Sequence, residues 1–271
     1  MAPANFLLDR VAAEFEERLA LVSRRFPRAL DFGTPGPQVV EVLRRESERF
    51  IVRAAPLRES AGRLAVVADE EALPFAAASF DLIASALSLH WANDLPGVLV
   101  QIRRALAPDG LFLAALVGGQ SLTELRTALT AAEADLTGGA SPRVAPFADV
   151  RDLGGLLQRA GFALPVTDTE PIIVRYPSMF ALMQDLRAMG ATNALAERSR
   201  LPLRRAVLMR AAEIYAGRFA DPDGRVRATF EIVWLSGWAP HESQQKPLTP
   251  GSARMRLADA LNAREERLPR D

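Results

Sequence analysis

Apolar residues recur at helical intervals at the start of the chain. Phe6, Leu8, Val11, Phe15, Leu19 and Val22 share one face, which predicts an amphipathic lead-in helix over 6–22. The pattern then shortens. Arg28-Ala29-Leu30-Asp31-Phe32 reads as a strand, followed by the small-residue loop Gly33-Thr34-Pro35-Gly36-Pro37 and a helix over Val39–Arg45. Phe50–Val52, Leu64–Val67 and Phe80–Leu87 read as three further strands, with a helix missing or degenerate between the first two of them. Asn93-Asp94 can cap a helix over Leu95–Leu106, because a side-chain carbonyl or carboxylate there accepts from free N–H groups of the first turn. Pro108-Asp109-Gly110 marks a turn, and Leu111–Val117 is a continuous apolar run of the kind a doubly covered strand carries. Short apolar strands alternating with helices imply an α/β fold: a mostly parallel sheet with helices on both faces.

The second half is more helical. Ser121–Leu136 and Val150–Ala160 read as helices and Phe162–Thr167 as a strand. Tyr176–Met189 and Leu203–Phe219 form a helical insert, taken as 170–225, with Asp221-Pro222-Asp223-Gly224 as the turn out of it. A last strand spans Thr229–Leu235, and 240–271 is a charged tail. With no internal repeat and no low-complexity linker, 1–271 reads as one domain.

Composition narrows the chemistry. Lys and Arg number 33 and Asp and Glu 33, so the formal net charge is zero, and a sequence-independent grip on nucleic acid has no basic excess behind it. There is no cysteine, which excludes disulfides, thiolate catalysis and cysteine-ligated zinc. Only His90 and His241 are available as histidine ligands, so no metal site is expected. No apolar run approaches the roughly 18–20 residues of a membrane span, and the acids in MAPANFLLDRVAAEFEERLALV are unlike a secretory or organellar leader. A cytoplasmic protein is the plain reading.

Several stretches carry a family resemblance. Leu30-Asp31-Phe32-Gly33 with its loop and helix resembles the first motif of S-adenosylmethionine-dependent methyltransferases. The stretch Ala68–Phe75, followed by Ser79–Ile83, then Ser88–Leu95 and Leu106–Gly110, is similar to later parts of that superfamily. Gly118–Arg126, Gly138–Phe147 and Gly237–Pro247 are more specific, and resemble the methyltransferase-type assembly factors of respiratory complex I. Met189-Gly190-Ala191-Thr192-Asn193 is shared in look with the malonyl-carrier-protein methyltransferase of biotin synthesis. The resemblance implies the class I methyltransferase (Rossmann-like) fold, seven strands with a helical insert before the last. It also implies S-adenosylmethionine as cofactor, and a role in assembling NADH:quinone oxidoreductase by modifying a protein side chain, arginine above all. The partner is then a complex I subunit or assembly intermediate, which places the protein at the inner membrane surface. A non-catalytic assembly module and a carrier-protein O-methyltransferase are the alternatives.

By that resemblance the cofactor contacts Asp31, Gly33, Gly36, Asp69 and Leu87, at the carboxyl ends of the strands where such sheets leave a crevice. Glycine lets backbone approach a ligand closely. Pro35 and Pro37 stand where the family has glycine, and Ala54 where it has the acid that clamps both ribose hydroxyls. Losing that clamp costs about 2–4 kcal/mol, and Glu59 is a candidate substitute. His90 is the candidate catalytic residue, with Trp91 beside it. Arg143, Arg175 and Tyr176 either shape a substrate pocket or serve the structure. Gly118-Gly119 reads as a flexible loop, and His241-Glu242 as part of a docking tail or an acid–base pair.

Overall fold

The computed structural model of the chain describes residues 5–46, 48–57, 65–199, 201–245 and 252. They fall into two units, Met1–Pro240 and His241–Asp271, and the sheet with its helices lies in the first.

In chain order the elements are α1 (Phe6–Ala20), β1 (Arg28–Phe32), α2 (Gln38–Leu43), β2 (Phe50–Ala55), β3 (Ala65–Val67), β4 (Phe80–Ala86), α3 (Leu95–Ala105), β5 (Leu106–Val117), α4 (Thr123–Thr137), α5 (Val150–Arg159), β6 (Ala163–Tyr176), α6 (Met179–Ala188), α7 (Arg205–Phe219) and β7 (Val226–Trp238). The seven strands run in the order β3-β2-β1-β4-β5-β7-β6. β1 to β5 are parallel, while β7 is antiparallel to both β5 and β6.

Alternation along the strands sorts side chains into two cores. Leu82, Ala84 and Ala86 of β4 face one way, towards Val11 and Phe15 of α1, Leu43 of α2 and Leu125 and Leu129 of α4. Ile83, with Leu30, Phe32 and Phe112, faces the other way, towards Val98, Leu99 and Ile102 of α3 and Leu153 and Leu157 of α5. Helices therefore cover both faces. Caps fall on the residues that can make them: Asp94 Oδ1 accepts from Gly97 N at 3.0 Å, Asp149 from Arg151 N at 2.9 Å and Ser178 from Ala181 N at 3.3 Å.

Four expectations change. The helical insert begins later than 170, because β6 continues to Tyr176 and pairs with β7 as far as Val226. Its exposed Thr169, Pro171, Ile173 and Arg175 alternate with half-buried neighbours, the strand period, and β6 is an edge strand, where a proline without N–H is tolerated. The last strand is correspondingly longer than Thr229–Leu235. The Pro108–Gly110 turn is taken into β5 as an irregularity: Phe80 pairs with Leu106 and Leu82 with Leu111, with Asp109 at φ +60° between them. The lead-in helix stops at Ala20, and Leu21 is exposed. The connection at 58–64, including Glu59, lies outside the described residues.

Candidate functional site

β1 hydrogen-bonds β2 on one side and β4 on the other, so connections leave the sheet in opposite directions at its carboxyl end, where a parallel sheet opens its crevice. Gly33 follows β1 with φ +74°, and its N–H donates to Ala54 O at 2.7 Å. A Cβ there would collide with Ser88 Oγ and fall 3.2 Å from Glu70 Oε1. Only glycine suits that position. Gly36 is small for a different reason. Its missing Cβ faces Gln38 Oε1 and Leu8 Cδ2 (2.8 Å), so the space serves packing against α1.

Asp31 is completely buried, and neither carboxylate oxygen has a hydrogen-bond partner. Arg53 Nε lies 3.3 Å from Oδ2. Burial pushes the Asp31 carboxyl up to about 7, with Thr34 and Arg53 pulling the other way. Ala54 is buried at the end of β2 and offers no acid. Asp69 is exposed, and its Oδ1 accepts from Glu71 N at 2.8 Å within its own turn. It is the neighbouring Glu70 that turns inward, accepting from Ser88 Oγ at 3.1 Å.

These residues fit S-adenosylmethionine unevenly. A buried carboxylate lacking hydrogen bonds and a glycine that cannot carry a side chain suit the ammonium-bearing methionine end. The ribose end has no acid from β2, and among the described residues Glu70 is a carboxylate that reaches the crevice from the other side. Leu87 follows β4 in the left-handed region, φ +51°, anchored by its N–H on Ala115 O at 2.8 Å.

Beside the crevice is a cavity of about 390 Å³. Pro35 of the loop, Leu87, His90 and Trp91 after β4, Leu122 before α4, Arg143–Ala145, Phe147 and Met189–Asn193 after α6 contribute to its wall. Leu122 is a second left-handed leucine, φ +55°, held by its N–H on Thr229 O at 2.7 Å. Non-glycine residues rarely adopt this conformation, and two of them line the same cavity. His90 sits between Trp91 (centroids 5.1 Å apart) and Phe147 (5.8 Å). Its Nδ1 is buried without a partner, and burial pushes the imidazole down to about 4, so the ring is neutral. Trp91 remains 44% exposed at the wall.

Arg143 lines the cavity, but its charge is already met: Nε donates to Glu133 Oε1 at 2.8 Å and Nη2 at 2.5 Å, and Glu133 is buried. No carboxylate lines the cavity among the described residues. Arg175 pairs with Asp221 and Asp223, and Tyr176 donates to Asp185, so neither belongs to this wall. Gly118 is kept small by Glu231 and Val233 of β7. His241 engages Ser243 within its own turn at 2.7 Å. No group of three or more His, Cys, Asp or Glu among the described residues is placed to hold a metal ion.

Sequence reasoning missed Glu70, Ser88, Arg53 and Glu133. For Arg53 a signal existed: a lone cation within the apolar run Phe50–Ala55 must find acceptors if the strand is buried.

Comparison with known proteins adds to this. A methyltransferase domain family model matches residues 37–114. The arginine-hydroxylase NDUFAF5, mitochondrial, of Danio rerio is 42% identical over 263 residues, 94% of this chain and 82% of the relative. Its counterpart in Homo sapiens is 42% identical over 258 residues, covering 92% and 74%. A malonyl-acyl-carrier-protein O-methyltransferase of Laribacter hongkongensis is 35% identical over 268 residues, covering 92% and 88%. Among solved structures, the YcgJ protein of Bacillus subtilis superposes with a TM-score of 0.57 at 12% identity, covering 86% of this chain and 99% of its own. The fold is that of these proteins.

Proposed function

The chain belongs to the methyltransferase-type family of respiratory complex I assembly factors, within the class I S-adenosylmethionine-dependent methyltransferases, and from that membership we propose that it modifies an arginine of a complex I subunit during assembly. The supporting observation is the cavity beside the cofactor loop, whose own charges cancel and whose one unpartnered buried side-chain acceptor among the described residues is His90 Nδ1. A guanidinium is planar, carries five N–H donors and stacks on aromatic faces. Trp91 presents such a face, and neutral His90 does not repel the cation. With its pKa near 4, His90 orients by accepting a hydrogen bond and is a poor store of protons at neutral pH.

S-adenosylmethionine, when bound, supplies an electrophilic methyl group. Asp31, Gly33, Glu70, Leu87 and Ser88 are the residues that would hold it. The cavity wall then aligns the incoming side chain, and alignment itself is worth a large rate factor. The carrier-protein reading fits less well. A malonyl group ends in a carboxylate that needs a cation, and Arg143 is committed to Glu133. Place of action follows from the partner: the cytoplasmic surface of the membrane holding the complex. Among the described residues no helix is long and apolar enough to cross it.

The test is genetic and chemical together. Deleting the gene should leave the NADH:quinone oxidoreductase incompletely assembled and one subunit arginine without its mark by mass spectrometry. Wild type should restore both, and His90→Phe should restore neither the mark nor normal assembly. A complex that assembles with all its arginine marks in the deletion strain overturns the reading. The mass of the mark, methyl or oxygen, tells which group is transferred.

A further inference from the structure

Arg53 is the register partner of Asp31, and both side chains lie on the same face of the sheet. Its side chain is only 11% exposed. Nη2 donates to Thr34 O at 2.7 Å and to Gly36 O at 2.7 Å, and Nε lies 3.3 Å from Asp31 Oδ2. These two carbonyls are the ones that precede Pro35 and Pro37.

That coincidence has a physical meaning. Proline fixes its own φ and pushes the preceding residue towards an extended backbone. In Thr34-Pro35-Gly36-Pro37, much of the remaining freedom is therefore the direction of the Thr34 and Gly36 carbonyls. One guanidinium pins both. A buried cation is costly without compensation, and here Asp31 and the two carbonyls supply it. From the other side, Gln38 Nε2 donates to Asp9 Oδ1 at 2.8 Å, so the same loop is also tied to α1.

We propose that Arg53 is a positioning residue that braces the proline-bearing loop into its ligand-receiving shape, doing for this chain what further glycines do in a loop free to adapt. The brace joins the ends of β1 and β2 and the loop into one unit without taking up the Gly33 surface that meets the ligand. This rests on the reading of the crevice as the cofactor site, but the brace itself is a property of the free protein.

Two measurements separate the claims. Hydrogen exchange of the free protein reads the loop through the amides bonded at its base and within it, Gly33 (to Ala54 O), Ala86 (to Thr34 Oγ1) and Glu41 (to Pro37 O). Arg53→Met should speed their exchange by about 10- to 100-fold, the worth of one charge-assisted hydrogen bond, while β5 amides stay unchanged. Arg53→Lys should recover part of the protection, since an ammonium carries charge without the planar fork. Calorimetry with S-adenosylhomocysteine as the probe should show affinity falling about 10-fold or more in Arg53→Met and less in Arg53→Lys. Unchanged loop exchange in Arg53→Met, or equal effects of Met and Lys, overturns the brace. Wild type that fails to bind the probe overturns the cofactor reading, while the exchange data still decide the brace.

Discussion

Asp31 is a carboxylate in a place that disfavours charge, and it makes stability depend on pH with a definite sign. Its carboxyl titrates near 7 in the folded chain against 3.8 ordinarily, chiefly through burial. The folded state therefore keeps a proton that the unfolded state has released, and stability linked to it is lost as pH rises from about 4 to about 7. Asp31→Asn keeps the shape without the charge. Its melting temperature relative to wild type should rise between pH 5 and pH 8, and a flat difference would show that Arg53 already neutralises the group. Gly33→Ala strains a backbone at φ +74° and drives a methyl into Ser88. Urea unfolding should register a loss of about 1–3 kcal/mol, and probe binding should vanish in protein that is still folded.

Among the elements, the connection from α4 to α5 is anchored by a buried pair, with Asn193 Nδ2 donating to Pro142 O at 2.7 Å beside it. Glu133 accepts from Arg143 and from Ser141 N at 2.6 Å, which holds the segment from 140 onwards against the cavity. Glu133→Gln leaves Arg143 without its counter-charge. Breaking such a pair costs about 3–5 kcal/mol when fully buried, and less here because Arg143 is partly exposed. Limited proteolysis should then cut near 138–147 well before the sheet is attacked. This part of the structure also shows what a sequence discloses. The parallel half was legible because each strand is a short apolar run with a turn signal behind it. The beginning of β6 was legible as Phe162–Thr167, but its continuation was not, since Thr167–Arg175 sits on an edge, mixes polar and apolar residues on both faces and contains Pro171. Gly33 and His90 could be picked out by type and position, and the structure sets both beside the crevice. Glu133, Arg143 and Glu70 could not be paired in advance, because their partners lie in other turns and only the fold decides which charge meets which.

For the molecule as a whole, 33 basic and 33 acidic residues leave no net charge, and the cavity wall neutralises itself. Long-range attraction therefore contributes little to meeting a partner. Association with the proposed target subunit should change less than about threefold between low and physiological salt, where a steered encounter falls steeply. Stopped-flow mixing at two ionic strengths measures this. Strand order carries a last consequence, one for the making of the protein. β7 lies between β5 and β6, yet it is synthesised after both of them. Until Val226–Trp238 leaves the ribosome, the apolar run Leu111–Val117 has an open edge and β6 has no neighbour. Unpaired edges of that kind seek other chains. The nascent protein is thus most prone to aggregate in the interval between the synthesis of β6 and that of β7, and a stop codon placed ahead of β7 should yield inclusion bodies rather than a smaller folded core.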